Sequence, residues 1–344
     1  MGELVRTTER LTCVTPFAIA GIQMHISALH SNLEAMIHRI DLTVARFPWV
    51  RMIMFSELAA FGPLTRFAHA FPSEAEDTFR KAAERHGVWL LPGSMFERDA
   101  EGRIFNTASV IAPTGDVLAR YRKLFPFRPY EHDVDPGEGF CVFDVPEAGR
   151  FGVSICYDMW IPETSRTLTS MGAEVILHPV LTGTIDRDIE LSIARSTAAQ
   201  FQCYVFDING LAAGGVGRSC VVDPAGTVIC QAAGQEEYLT VEIDFDRVRR
   251  QREVGLNGLG QVLKSFRDRK FEFDVYDRSR VRDDYLASLG PLELPSRDGP
   301  VRMAPRPGEA TTRPVGEPIG DPTSGATGEP ATPEGATRVV RLTG

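Results

Sequence analysis

The run FAIAGIQM, eight residues without a charge, predicts a buried strand over 17–24. The period then changes. Leu33, Met36, Ile37, Ile40 and Val44 recur at helical spacing, so 31–46 is expected to be a helix with Ser31 or Asn32 as its cap. A strand is expected over 50–55. A second helix is expected over 73–86, with Ser73 as cap, Glu76 three positions on and Gly87 closing it, before a strand over 88–92. Later apolar runs predict strands over 151–155, 175–178, 204–208 and 238–243. Helices are expected over 162–171 and 186–200.

Two segments echo each other, ASVIAPTGDV at 108–117 and SCVVDPAGTV at 219–228. Each sets a Pro-x-Gly turn between β-rich runs, which predicts a hairpin with its glycine in the left-handed conformation. The run Gly214-Gly215-Val216-Gly217 lacks the lysine and following helix of a phosphate loop and reads as a turn. Hairpins mixed with helical crossovers give an α/β class, two sheets packed face to face with helices outside.

The chain ends differ in composition from this core. Residues 1–15 are polar and without period, a flexible arm. From Pro291 onward there are 10 of the 23 prolines, 8 of the 31 glycines and no aromatic residue, so 291–344 is expected to be disordered. Its seven acidic and six basic residues nearly cancel, and it carries no functional assignment.

A net charge of -9 without a basic run disfavours nucleic acid as a partner. No stretch reaches the length of a membrane helix and no secretory pattern is seen, so a cytoplasmic protein is expected, with no membrane partner. The cysteines at 13, 141, 156, 203, 220 and 230 form no Cys-x-x-Cys pair and have no histidines at zinc-like intervals. They are expected to be reduced thiols, and no metal site is expected. Cys203, Cys220 and Cys230 sit in apolar contexts that suit a small core residue.

Cys156 stands apart. It follows the expected strand FGVSI, and Pro162-Glu163 opens the next helix. A turn of this kind exposes a thiol at a strand end and offers backbone N–H groups to a developing oxyanion. These local features fit a core cysteine equally well. Glu57 directly follows an apolar strand, a place where α/β sheets build sites, and Lys123 taken singly reads as a surface charge.

Together these segments have a precedent. CYDMWIPE at 156–163, followed by Arg166 and Gly172-Ala173-Glu174, resembles the nucleophile block of the nitrilase or carbon-nitrogen hydrolase superfamily. MFSEL at 54–58 resembles the block that presents its glutamate base, and YRKLFP at 121–126 resembles its lysine block. The three occur in family order, 66 and 33 residues apart, and the resemblance spans about 16–280. It implies a four-layer α-β-β-α sandwich over 16–250, with Cys156 as nucleophile, Lys123 as oxyanion partner and Glu57 as proton shuttle. Glu131, in Pro129-Tyr130-Glu131-His132, matches a second glutamate of the aliphatic amidase and formamidase branch, unless His132 or Asp133 fills that place.

The activity implied is hydrolysis of a small amide through a thioester, with the N–H of Tyr157 helping to hold the oxyanion and no cofactor required. Nitrilases carry Trp-Glu after the cysteine, where this chain has Tyr157-Asp158; N-carbamoyl hydrolysis remains an alternative, as does a catalytically silent regulatory member. Tyr130, Trp160, His178 and Thr182 are candidates to line the pocket, although aromatics at such places more often pack. The segment 256–267, with Leu256, Leu259, Val262, Leu263 and Phe266, resembles the arm through which members dimerise. A homodimer or higher homo-oligomer is therefore expected through 251–290.

Overall fold

The computed structural model describes residues 15–277, 284–302 and the backbone of 339–340. The polar arm expected at 1–15 lies outside them, apart from Thr15. Two sheets pack against each other. In the first, the strands run Glu237–Asp244, Pro16–Gln23, Met52–Phe55 and Trp89–Leu91, then Ile104–Ile111, which also pairs with Met95–Arg98 and Val117–Arg122. In the second the order is Val228–Gln231, Cys220–Val222, Tyr204–Asn209, Val175–Val180, Gly149–Val153 and Cys141–Val145.

Period-two alternation explains the layers, because successive strand side chains face opposite ways. Phe17, Ile19, Met52 and Met54 meet Phe151, Val153, Leu177, Phe206 and Ile208 in the core between the sheets. Their neighbours Ala18, Ala20, Ile22, Ile53 and Phe55 face outward onto Met36 and Ile40 of helix Leu33–Arg46 and Phe79 and Ala83 of helix Glu74–His86. On the other side Ile176 and Val205 pack on Ala194, Ala198 and Phe201 of helix Arg187–Phe201. Each sheet is covered on both faces, which is why its parallel strands read as continuous apolar runs. The expected α-β-β-α sandwich is the fold observed.

The local signals act as expected. Ser73 accepts a hydrogen bond from Glu76 N, and the two Pro-x-Gly turns are twins: Gly115 and Gly226 both have φ of 79° and both donate to the carbonyl three residues back, at 2.9 Å. Asn32 occupies the first cap position, but its side chain holds the preceding loop at Ser27 instead of the helix. Two strands of the large sheets had no sequence signal, Met95–Arg98 and Cys141–Val145. Met95–Arg98 continues Trp89–Leu91 along the same neighbour after a break at Pro92-Gly93-Ser94.

That break serves the site. Gly93 has φ of 76°, and a Cβ there would lie 1.9 Å from the carbonyl oxygen of Ser56. Within the segment expected to be disordered, Glu293–Leu294 pairs with Val301–Arg302, and Val339–Val340 runs parallel to Cys141–Val145. Residues 303–338 and 341–344 of that segment lie outside the described residues. No described helix is long and apolar enough to cross a membrane.

Candidate active site

Three strand ends converge. Met52–Phe55 delivers Glu57, Val117–Arg122 delivers Lys123 and Gly149–Val153 delivers Cys156. Glu57 N donates across the inter-sheet boundary to Val180 O at 3.2 Å, and Leu58 N donates to Ser94 Oγ at 3.0 Å. Leu58 and Cys156 both have positive φ, 52° and 46°, a conformation uncommon for residues with side chains and tolerated where the surroundings enforce it.

Lys123 Nζ lies 2.9 Å from Glu57 Oε1 and 2.8 Å from Glu131 Oε2, and its side chain is fully enclosed. Burial alone would lower the ammonium pKa. The carboxylates of Glu131 and Glu57 outweigh it and hold Lys123 well above its ordinary range, so the lysine stays charged. The same oxygen of Glu131, Oε2, also accepts from Phe127 N at 2.5 Å, and Lys123 holds this carboxyl below the ordinary range despite burial. His132 and Asp133 instead pair with each other on the surface side of the loop, at 2.7 Å.

Glu57 behaves differently from Glu131. Burial pushes it above the ordinary carboxylate range, with Lys123 opposing and Glu131 adding to the rise. Asn106 Nδ2 donates to Glu57 Oε1 at 2.8 Å and fixes the carboxyl plane. Burial and then Glu57 also push the Cys156 thiol well up, against the pull of Lys123. The resting sulfur therefore keeps its proton beside a carboxyl of raised proton affinity.

Tyr157 occupies the first turn of the short helix Cys156–Trp160, where backbone N–H groups lack partners within the helix. Asp158 in that turn is buried and holds the site's two halves together: Oδ2 accepts from Ile155 N and Tyr121 OH, and Oδ1 accepts from Phe125 N. Asp158 and Asn106 were not singled out from the sequence. Each had a signal, a polar residue inside an otherwise apolar strand or turn, but no pairing rule pointed to its partner.

Two lobes of one cleft meet at Cys156. The larger, about 310 Å³, is lined by Glu57, Leu64, Phe96, Lys123, Tyr130 and Glu131 among others. The smaller, about 170 Å³, is lined by Phe127, Tyr157, Trp160, Thr182, Asp186 and Glu190 among others. Of the sequence candidates, Tyr130 lines the first lobe, and Trp160 and Thr182 line the second. His178 lines neither; it is buried behind Cys156, with Nδ1 2.8 Å from Ser154 Oγ. Glu190 is one of the pocket residues the pattern did not reveal, since on sequence it is one more acid in the first turn of a helix. Among the described residues no cluster of three His, Cys, Asp or Glu side chains is placed to hold a metal ion.

A family model described as carbon-nitrogen hydrolase matches residues 18–253. The chain is 30% identical over 205 residues to omega-amidase NIT2-A of Xenopus laevis, covering 54% of this chain and 72% of that one. It is 27% identical over 262 residues to human omega-amidase NIT2, covering 68% and 91%. The fold matches that of Saccharomyces cerevisiae Nit3, a member of branch 10 of the nitrilase superfamily, with a TM-score of 0.64 at 24% identity, over 70% of this chain and 94% of that one.

Proposed function

The chain belongs to the carbon-nitrogen hydrolase family, and from that premise we propose that it is an amidase that converts a small amide to a carboxylic acid and ammonia or an amine through a cysteine thioester. The observation that carries this reading is the enclosed group of Glu57, Lys123 and Glu131 beside Cys156 in a cleft. The similarity to omega-amidases supports the reaction class.

Each step has a residue for it. Glu57 takes the thiol proton as Sγ of Cys156 bonds to the amide carbon. The carbonyl oxygen gains the electron pair, and Lys123 Nζ and the Tyr157 N–H receive the negative charge. On collapse, the C–N bond breaks and Glu57 returns its proton to the departing nitrogen. Glu57 then accepts a proton from water as the water attacks the thioester, and the acid leaves with the thiol restored. Glu131 positions Lys123 throughout.

Ammonia release from aliphatic amides, the matching nitriles and N-carbamoyl amino acids tests the reading, with intact-mass detection of the acyl-enzyme. Amides are expected to be turned over and Cys156→Ala to be inert. Turnover of nitriles alone, or a rate unchanged by Cys156→Ala, would overturn the assignment.

The same reading extends to assembly as a homodimer through the arm after residue 255. Part of that arm folds back, since Arg166 lies 4.4 Å over the Phe266 ring and Tyr276 donates to Glu163. Leu259, Phe271 and Val275 stay exposed, apolar area that suits a partner subunit. A monomer mass by light scattering at micromolar concentration would contradict this. The free thiols of Cys141, Cys156, Cys203, Cys220 and Cys230 fit a reducing, cytoplasmic setting.

A further inference from the structure

The smaller lobe has a chemistry of its own. Three aromatic side chains, Phe127, Tyr157 and Trp160, stand around it, with ring centroids 5.1 Å apart for the first pair and 6.0 Å for the second. Its polar lining includes the carboxylates of Asp186 and Glu190. Glu190 is 8% exposed and its Oε1 accepts only from neutral donors, Thr182 Oγ1 at 2.9 Å and Trp160 Nε1 at 3.3 Å. Its Oε2 shares Arg187 with another acid: Arg187 reaches Glu190 at 3.3 Å and Asp207 at 2.5 Å.

Arg187 and Asp207 are both 1% exposed, so two enclosed carboxylates face one guanidinium and one negative charge is left over. Burial and the nearby Asp207 hold Glu190 above the ordinary carboxylate range, a strain that a cation beside it would relieve. Of the described residues lining either lobe, Lys123 is the one cation, and Glu57 and Glu131 already engage it. A carboxylate on the substrate would meet acids and no free cation.

The reaction decides which part of the substrate enters this lobe. Glu57 must protonate the departing nitrogen and then direct water, so nitrogen and water use the larger lobe, which Glu57 lines. The acyl chain then points the other way, past Cys156 toward Trp160.

We propose, building on the amidase reading, that the smaller lobe selects amides whose acyl chain ends in an ammonium group, held between the aromatic faces and the carboxylates of Glu190 and Asp186. Aromatic faces attract cations and a buried acid completes the site. Anionic amides, such as monoamides of dicarboxylic acids, are disfavoured by the same charges.

Three primary amides with a shared three-methylene arm test this: 4-aminobutanamide, pentanamide and the monoamide of glutaric acid. The wild-type enzyme is expected to prefer the ammonium compound over pentanamide by at least about tenfold in kcat/KM, with the anion at least about tenfold below pentanamide. Calorimetry on the Cys156→Ala variant should give the same ranking as Kd values. Glu190→Gln should erase most of the gap between the ammonium and neutral amides, and Asp186→Asn, at the lobe's rim, should narrow it if Glu190→Gln does not fold. Equal or inverted ranking in affinity, or a gap that both variants leave intact, overturns the inference. If the Cys156→Ala variant prefers the ammonium amide but the wild type turns over none of the three, the charge selection stands and the amidase reading falls.

Discussion

Tyr121 and Asp158 meet at the join between the two sheets, the phenol donating to Asp158 Oδ2 at 2.6 Å with both side chains buried. Tyr121 lies two residues before Lys123, and Asp158 two residues after Cys156. The same carboxylate accepts from Ile155 N at 2.8 Å and from Phe125 N at 2.9 Å, so it clamps the turn of Cys156 to the loop of Lys123. Burial pushes Asp158 up to about 6, and its three donors oppose that rise.

Tyr121→Phe keeps the ring and removes one donor to this buried carboxylate. The expected loss of stability is about 1–3 kcal/mol, read from urea unfolding. Since the clamp orients Lys123 and Cys156, kcat should fall more than KM changes. An unchanged midpoint together with unchanged kcat would show that Asp158 does not act as the clamp.

Replacing Lys123 by Met leaves Glu57 and Glu131 facing each other without a cation. Turnover is expected to drop by at least about 10²–10³, the scale of losing an oxyanion donor. The pH dependence is diagnostic. Two enclosed, uncompensated carboxylates hold their protons more tightly folded than unfolded, so the variant should lose stability relative to wild type as pH rises from about 5 to about 8. A destabilisation independent of pH in that window would mean that the carboxylates are not coupled through the lysine.

His178 gives a separate pH signature. Burial, with Arg187 adding to it and Asp207 opposing, holds the imidazole down to about 4. The unfolded chain protonates it near the ordinary value of about 6.5, so unfolding takes up a proton as pH falls, and stability is lost between about 6.5 and 4. That contribution is fully present above the unfolded value. His178→Gln should reduce the stability difference between about pH 7 and about pH 4.5 by about 2 kcal/mol. The difference would be unaltered if His178 were protonated in the folded protein.

Gly93→Ala tests the strand break behind the glutamate. A Cβ would sit 1.9 Å from Ser56 O, on backbone with φ of 76°, so either the break or Ser56-Glu57 must move. Misplacement of the base by even a fraction of an ångström should lower kcat by about tenfold or more, with thermal unfolding also shifted down. Full activity in this variant would mean that the Glu57 segment is not positioned by the break.

The amino-acid sequence alone placed the layers and pointed to Glu57, Lys123 and Cys156. Continuous apolar runs placed the strands, because sheets buried on both faces leave few polar positions along them, and helical spacing located the covering helices. Pro-x-Gly turns and the Ser73 cap were legible because their causes lie within four residues. MFSEL, YRKLFP and CYDMWIPE named Glu57, Lys123 and Cys156 through resemblance. Met95–Arg98 stayed hidden since it is the continuation of another strand, and its pairing comes from a distant neighbour.

What only the tertiary structure decided is how these residues act on one another. Whether Glu131 reaches Lys123, whether His178 faces the cleft or lies behind it, and whether Glu190 joins Arg187 and Asp207 all depend on which strand ends the sandwich brings together. Burial and charge coupling act through space between residues far apart in the chain, and residue spacing carries no record of them.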